Sequence, residues 1–248
     1  MSRTRAVDKP GNPHGAAPQF LIDPEALDTI APSGDRGGVL VGASPHGKPL
    51  SASVLRPQPT RMVMVGGLYL ARQIALRSLA TGAWVQIATG RPAAWKMLER
   101  AAGLAPDGRP VPSMQIKKLA PFELPTATED APLLVIHDGG AVPQELFPPR
   151  SPWQTTLYVL PYLHPQVGNG TTANGADLVL LQRLPLNQAE LAARIWHLDP
   201  ATKQRQVNEL TQLPDDIVIA LGNNLWEPIQ LGTKPAESEI LGPVRRGD

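Results

Sequence analysis

The sequence predicts an α/β protein of three layers, a mainly parallel sheet with helices on both faces, with a β-hairpin leading into it. Three observations carry that reading. Short continuous apolar runs, Arg61 to Val65 and Leu133 to Asp138 among them, have the length and composition of strands buried on both faces. Segments with helical apolar spacing alternate with these runs, a β-α-β-α series that calls for a parallel sheet with right-handed crossovers. Ahead of them, Val39 to Gly42 and Leu50 to Leu55 flank a turn at Ser44-Pro45-His46-Gly47, with apolar residues at alternate positions in the second arm.

The elements follow in order. Residues 1–36 hold Pro10, Pro13, Pro18, Pro24 and Pro32 with little apolar content outside Phe20 to Ile30, which reads as a flexible arm containing a short docking segment. The α/β domain is expected over 37–232. The strand Arg61 to Val65 ends in Gly66-Gly67 and enters a helix with apolar positions Leu70, Ile74, Leu76 and Leu79, which Gly82 stops. Ala83 to Ala88 is a second strand, and Pro92 opens a second helix within Arg91 to Ala102. Met114 to Leu119 is a weaker third strand because Lys117 and Lys118 interrupt it.

Leu133 to Asp138 is a strong strand ending in a carboxylate. A helical stretch is expected around Trp153 to Leu163, then a mobile polar loop from Gly168 to Gly175. Asp177 to Gln182 is another buried strand, and Asn187 to Leu198 an amphipathic helix with Leu191, Ile195 and Leu198 on one face. Ile217 to Leu221 and Trp226 to Leu231 form a closing hairpin around Gly222-Asn223-Asn224. Residues 233–248 read as a polar tail.

Composition narrows the function classes. The chain of 248 residues is 42% hydrophobic, enough for a sizeable core. Its 23 Lys and Arg balance 22 Asp and Glu, so no charge-driven attraction to nucleic acid or anionic membrane is expected. The absence of cysteine removes disulfides, thiolate metal sites and cysteine nucleophiles, and fits a cytoplasmic protein. Met1 to Gln19 has no apolar core of a secretory signal, and Leu68 to Ala88 is interrupted by Arg72, Gln73 and Arg77, so no membrane insertion is expected.

Chemistry-bearing patterns are sparse. His14, His46, His137, His164 and His197 show no paired metal-ligand spacing, so no metal site is expected. Gly42-Ala43-Ser44-Pro45-His46 approaches a G-x-S-x-G elbow but lies in a hairpin and ends in His46, which argues against a serine hydrolase. Trp84, Trp95, Trp153, Trp196 and Trp226 are scattered and form no basic-aromatic stripe for nucleic acid. The sequon Asn169-Gly170-Thr171 carries no meaning in a cytoplasmic chain.

The glycine turn carries more. A strand that ends in glycines and enters a helix offers backbone N–H groups and the positive end of the helix dipole to a phosphate. Against the dinucleotide pattern G-x-G-x-x-G/A, Gly66 and Ala71 fit while Leu68 stands at the middle glycine and blocks a pyrophosphate. Against the phosphate-loop pattern G-x-x-x-x-G-K-S/T, the frame from Gly66 places Ala71 at the second glycine, Arg72 at the lysine and Gln73 at the hydroxyl. A planar guanidinium does not replace the compact ammonium, and no hydroxyl is present to hold Mg²⁺.

The order of motifs around the turn adds a resemblance. G-V-L-V-G-A-S-P-H-G-K-P-L (Gly38 to Leu50), followed by the apolar strand and the glycine turn, resembles the start of the motor domain of FtsK/SpoIIIE-type translocases and of the EccC ATPases of type VII secretion. L-L-V-I-H-D (Leu133 to Asp138) resembles their Walker B strand, with Gly139 where the family has a second acidic residue. A-D-L-V-L-L-Q-R-L-P (Ala176 to Pro185) resembles the sensor strand, ending in Gln182-Arg183, and Leu213 to Gly222 is similar to the closing strand. Leu55 to Gly67, Thr89 to Trp95 (T-G-R-P-A-A-W), Ser151 to Leu157 and Ala176 to Leu184 resemble small actinobacterial proteins associated with type VII secretion loci.

What the resemblance implies is a degenerate P-loop NTPase-like fold that does not hydrolyse nucleotide and serves as a structural or adaptor subunit, with protein partners among secretion ATPase components. No catalytic residue and no required cofactor are implied. Gly66, Gly67, Arg72, Asp138, Gln182 and Arg183 are the candidate remnant of a nucleotide or anion site, with Asp138 in the position that would hold a Mg²⁺ shell. From the residues themselves, Asp138 has two further uses, capping the loop at Gly139-Gly140 or pairing with Arg183, and the ion pair is the expected role of Arg183. Two rival readings are an enzyme that uses a nucleotide or dinucleotide at Gly66-Gly67, and an ATPase subunit that completes its site in trans through Arg72.

Overall fold

The computed structural model describes residues 38–244 apart from 53, 110, 120–122, 141–150, 166–174 and 223–224. The expected N-terminal arm, and the polar loop up to residue 174, lie outside the described residues.

Ten strands form one sheet: β1 (Val39–Ala43), β2 (Pro49–Ala52), β3 (Thr60–Val65), β4 (Trp84–Thr89), β5 (Met114–Lys117), β6 (Leu133–Asp138), β7 (Gln154–Leu160), β8 (Leu178–Leu181), β9 (Ile217–Gly222) and β10 (Leu225–Leu231). Among the described residues five helices accompany them: α1 (Tyr69–Ala80), α2 (Lys96–Ala102), α3 (Leu186–Ile195), α4 (Lys203–Gln212) and α5 (Pro235–Leu241). The strand order is β2-β1-β10-β9-β8-β3-β7-β6-β4-β5. From β8 to β5 every neighbouring pair is parallel, whereas β9, β10, β1 and β2 add antiparallel.

The predicted three layers follow from period-two alternation in strands buried on both faces. Met62 and Met64 of β3, Val85 and Ile87 of β4, and Leu134 and Ile136 of β6 turn to one core with α1, α2 and Leu241 of α5. Val63 and Val65 turn to the other, with Tyr158, Leu160, Val179 and Leu181, under Ala189, Ala192 and Ala193 of α3 and Val207 and Leu210 of α4. The predicted N-terminal hairpin is present as β1 and β2, with a register shift between Leu40 and Gly42. Gly42 is required there, because a Cβ would lie 2.0 Å from the Gln230 carbonyl oxygen of β10. No helix among the described residues is long and apolar enough to cross a membrane.

Four expectations change. The stretch expected as a helix at Trp153 to Leu163 is the strand β7, buried along its whole length and inserted between β3 and β6. Thr155, Thr156, Tyr158 and Val159 suit a strand enclosed on both faces, and that tertiary setting decides the state. The second helix splits into a 3₁₀ turn at Pro92–Trp95 and α2. A further helix, α4, is held by Val207 and Leu210 with an otherwise mostly polar surface. Residues 235–241, expected within a polar tail, form α5 with Leu241 buried.

Candidate functional site

The glycine turn is short. β3 ends at Val65 and α1 begins at Tyr69, which leaves Gly66, Gly67 and Leu68 as the whole connection. In the phosphate-loop frame, residues 67–70 should wrap the phosphates, but Tyr69 and Leu70 are already helical. The N–H groups of both glycines are spent within the protein. Gly66 donates to the Leu160 carbonyl at 2.9 Å, and Gly67 donates to Oε1 of Gln182 at 2.6 Å. Gly66 has φ 140°, and a Cβ there would sit 2.1 Å from the same Oε1. Leu68 is fully buried. A phosphate cradle needs outward N–H groups, and the two glycines of this turn spend theirs within the protein.

Position 73 of the same frame has a different use. Nε2 of Gln73 donates to the Gly232 carbonyl at 2.9 Å and to Glu237 Oε2 at 3.3 Å. Tyr69 bonds Thr233 through the hydroxyls at 3.1 Å, and Arg77 grips Glu237 at 2.6 and 2.7 Å and also reaches the Leu40 carbonyl. Tyr69, Gln73 and Arg77 are spaced by four, so they form one polar stripe on α1 that clamps the start of α5. The Arg77 guanidinium is the main reason that the Glu237 carboxyl is held below its ordinary pKa. Arg72 is buried in the same helix, 5% exposed.

Asp138 is a separate centre. It ends β6 directly across from Thr89 of β4. Oδ2 accepts from the Thr89 hydroxyl at 2.8 Å and from Trp95 Nε1 at 2.9 Å. The Arg91 guanidinium spans both oxygens, with Nε 3.1 Å from each and Nη2 2.9 Å from Oδ1. The 3₁₀ turn brings Arg91 and Trp95 back over the strand end, and the Thr89 hydroxyl also accepts the Arg91 backbone N–H at 2.9 Å. A carboxylate offers about four lone-pair positions. Five donor contacts fill them.

Of the predicted site residues, the fold brings Gly66, Gly67 and Gln182 into contact across β3 and β8 and sets Asp138 apart from them. Asp138 stands on β6 with β7 between it and β3, a separation of about 10 Å at ordinary strand spacing. The expected Arg183–Asp138 pair is not formed: Arg183 pairs with Asp215 at 3.0 Å, and Asp138 takes Arg91. Proximity explains the exchange, since Arg91 leaves the adjacent strand β4 whereas Arg183 leaves β8, on the far side of β3 and β7. Arg183 lines an open depression of about 720 Å³ with Leu184, Pro185, Leu186, Asn208 and Thr211. Thr89, Arg91 and Trp95 were not singled out as site residues, although T-G-R-P-A-A-W contains all three.

His137, beside Asp138 but on the opposite sheet face, stacks on Tyr158 of β7 with ring centroids 5.3 Å apart. Burial lowers its pKa to about 4, so it is neutral at pH 7.

No protein-family model matches the chain, and no curated protein matches its sequence. Its fold is similar to that of VirB4 of Thermoanaerobacter pseudethanolicus, with a TM-score of 0.53 and 8% identity over 81% of this chain and 98% of that one. It is similar also to the pCW3 conjugation coupling protein TcpA, in its monomer form with ATPgS, with a TM-score of 0.53 and 10% identity over 82% of this chain and 68% of that one. The cytoplasmic domain of the Thermomonospora curvata type VII secretion ATPase EccC aligns at a TM-score of 0.48 and 14% identity over 92% of this chain and 33% of that one, too loosely to bear on the fold. The fold is thus an α/β fold of the P-loop NTPase kind. The Mg²⁺-nucleotide that such a fold implies does not fit the residues present, because the turn is closed by Gln182 and the Asp138 carboxylate is saturated.

Proposed function

We propose that this chain is a non-hydrolysing structural or adaptor subunit that works through protein contacts in a protein secretion apparatus of the type VII kind. The observation that carries the first half is the closed glycine turn, in which the Gly67 N–H is spent on Gln182. The second half is supported by the fold shared with VirB4 and the TcpA coupling protein and by the four sequence segments that resemble type VII-associated proteins. The partners on this reading are components of the secretion ATPase, met at the cytoplasmic face of the membrane.

Three measurements on the full chain test it. Titration with Mg²⁺-ATP, Mg²⁺-GTP, NAD and NADP is expected to leave the melting temperature unchanged, because a ligand specific to the folded state would raise it by mass action. Turnover of ATP that an Asp138→Ala variant abolishes would overturn the reading. Affinity purification from the native cell is expected to co-purify secretion ATPase components, and their absence would remove the adaptor role.

A further inference from the structure

We propose that Arg91 is the resident counter-ion of Asp138, occupying the place in which a P-loop ATPase fold would keep a divalent cation. The inference deepens the non-hydrolysing reading and rests on it only in taking the Asp138 carboxylate as a retained feature of that fold.

The Asp138 side chain is 2% exposed, and a carboxylate so enclosed needs a partner of opposite charge. Its counter-charge is the Arg91 fork, with Nε 3.1 Å from each carboxylate oxygen and Nη2 2.9 Å from Oδ1. The remaining acceptor positions go to two donors that carry no charge, the Thr89 hydroxyl at 2.8 Å and Trp95 Nε1 at 2.9 Å. The arrangement resembles a metal shell in its logic, several donors converging on one carboxylate, but every donor comes from the seven-residue stretch from Thr89 to Trp95. That stretch is held by β4 on one side and by the buried indole of Trp95 on the other. A guanidinium in bidentate geometry supplies the positive charge directly. It also repels a dication, since a unit positive charge a few ångströms away opposes the binding of another cation.

The exchange has a direct consequence. If Arg91 serves as the cation, removing it should open the carboxylate to a divalent ion, and removing the carboxylate as well should close it again. The probe is Mn²⁺, read by the loss of its free-ion paramagnetic resonance signal on addition of the full chain, with folding followed by circular dichroism. Wild type is expected to bind no Mn²⁺ at this position, so Asp138→Asn changes nothing in the Mn²⁺ signal. Arg91→Met is expected to bind Mn²⁺ where wild type does not, from relief of the repulsion, and to melt higher with millimolar Mn²⁺ than without. Arg91→Met/Asp138→Asn is expected to lose both responses.

Arg91→Gln, which keeps a neutral donor within reach of the carboxylate, is the milder second variant and is expected to follow Arg91→Met. Both are also refolded with and without Mn²⁺, and recovery only with the ion supports the exchange. Mn²⁺ binding by wild type that Asp138→Asn abolishes would overturn the proposal. So would Arg91 variants that bind no more ion than wild type, or that fail to fold under either condition. Each of these outcomes leaves the nucleotide titration and the co-purification readable on their own.

Discussion

Replacing Gly66 with alanine tests the closed turn at its tightest point. Two costs combine. The φ of 140° lies where residues with a side chain are rarely found, a strain of about 1–3 kcal/mol. The new Cβ would also stand 2.1 Å from Gln182 Oε1 and 2.8 Å from its Cβ and Cδ, so the Gln182 side chain must leave. Its departure strips the buried Gly67 N–H of its 2.6 Å acceptor, a further loss of about 1–3 kcal/mol. The expected destabilisation is therefore about 2–6 kcal/mol, which for a domain of this size lowers the melting temperature by roughly 4–24 °C. Urea denaturation followed by far-ultraviolet circular dichroism measures it. Repeating Gly66→Ala in a Gln182→Gly background separates the two costs, because the clash and the broken bond are then absent and only the φ strain of about 1–3 kcal/mol remains. A Gly66→Ala midpoint shift below about 0.5 kcal/mol, or an equal cost in the two backgrounds, would refute this account of the turn.

Two other outcomes follow from the charged and titrating groups. His137 has a folded-state pKa of about 4 against an ordinary 6.5, so the unfolded chain takes up the proton first as pH falls. Its contribution is complete above about pH 6.5, is lost progressively down to pH 4, and is of order 3 kcal/mol at most. His137→Phe, which keeps a ring against Tyr158, is expected to flatten that part of the stability profile relative to wild type in urea titrations at stepped pH. Asp138→Ala leaves the Arg91 fork and the buried Trp95 indole without their acceptor and is expected to cost about 3–5 kcal/mol, whereas Arg183→Ala removes a half-exposed pair with Asp215 and is expected to cost under about 1 kcal/mol by the same denaturation assay.

Much of the sheet was readable from the chain because its strands are buried on both faces and therefore appear as unbroken apolar runs. β3, β4, β6 and β8 were found in this way, and β1 with β2 through alternation around a turn. β7 was misread for a physical reason. Trp153, Leu157 and Leu160 are spaced as on one helix face, and only enclosure between β3 and β6 makes every residue of Gln154–Leu160 a core residue. α4 went unread because its apolar content is Val207 and Leu210 in a polar segment. At the site, the elements were legible and the bonds between them were not. Gln182 reaches the glycine turn from 115 residues away, and the choice of Arg91 over Arg183 as partner of Asp138 depends on strand order, which no local pattern encodes. The one available signal was the run from Thr89 to Trp95, where a hydroxyl, a guanidinium and an indole stand at a spacing that a 3₁₀ turn can fold onto a single carboxylate.

Loss of a ligand site can take two forms, and their residues differ. When selection on a site simply lapses, buried polar groups drift to apolar residues or are left without partners at a cost of about 1–3 kcal/mol each. When the groups acquire a new role, they gain partners from within the chain. On the proposed reading Asp138 is of the second kind, with three side chains on one carboxylate. Gln73 also belongs there, since its Nε2 ties α1 to the segment leading into α5. Gln182 closes the turn with Oε1 while its Nε2 is buried without a hydrogen bond, and the second amide atom of Gln73 is in the same condition. Both atoms stand at the ends of long amides whose other atom is used. On the proposed reading, strand ends held by the chain's own side chains suit a surface met by another protein better than a turn that must close around a nucleotide and release it.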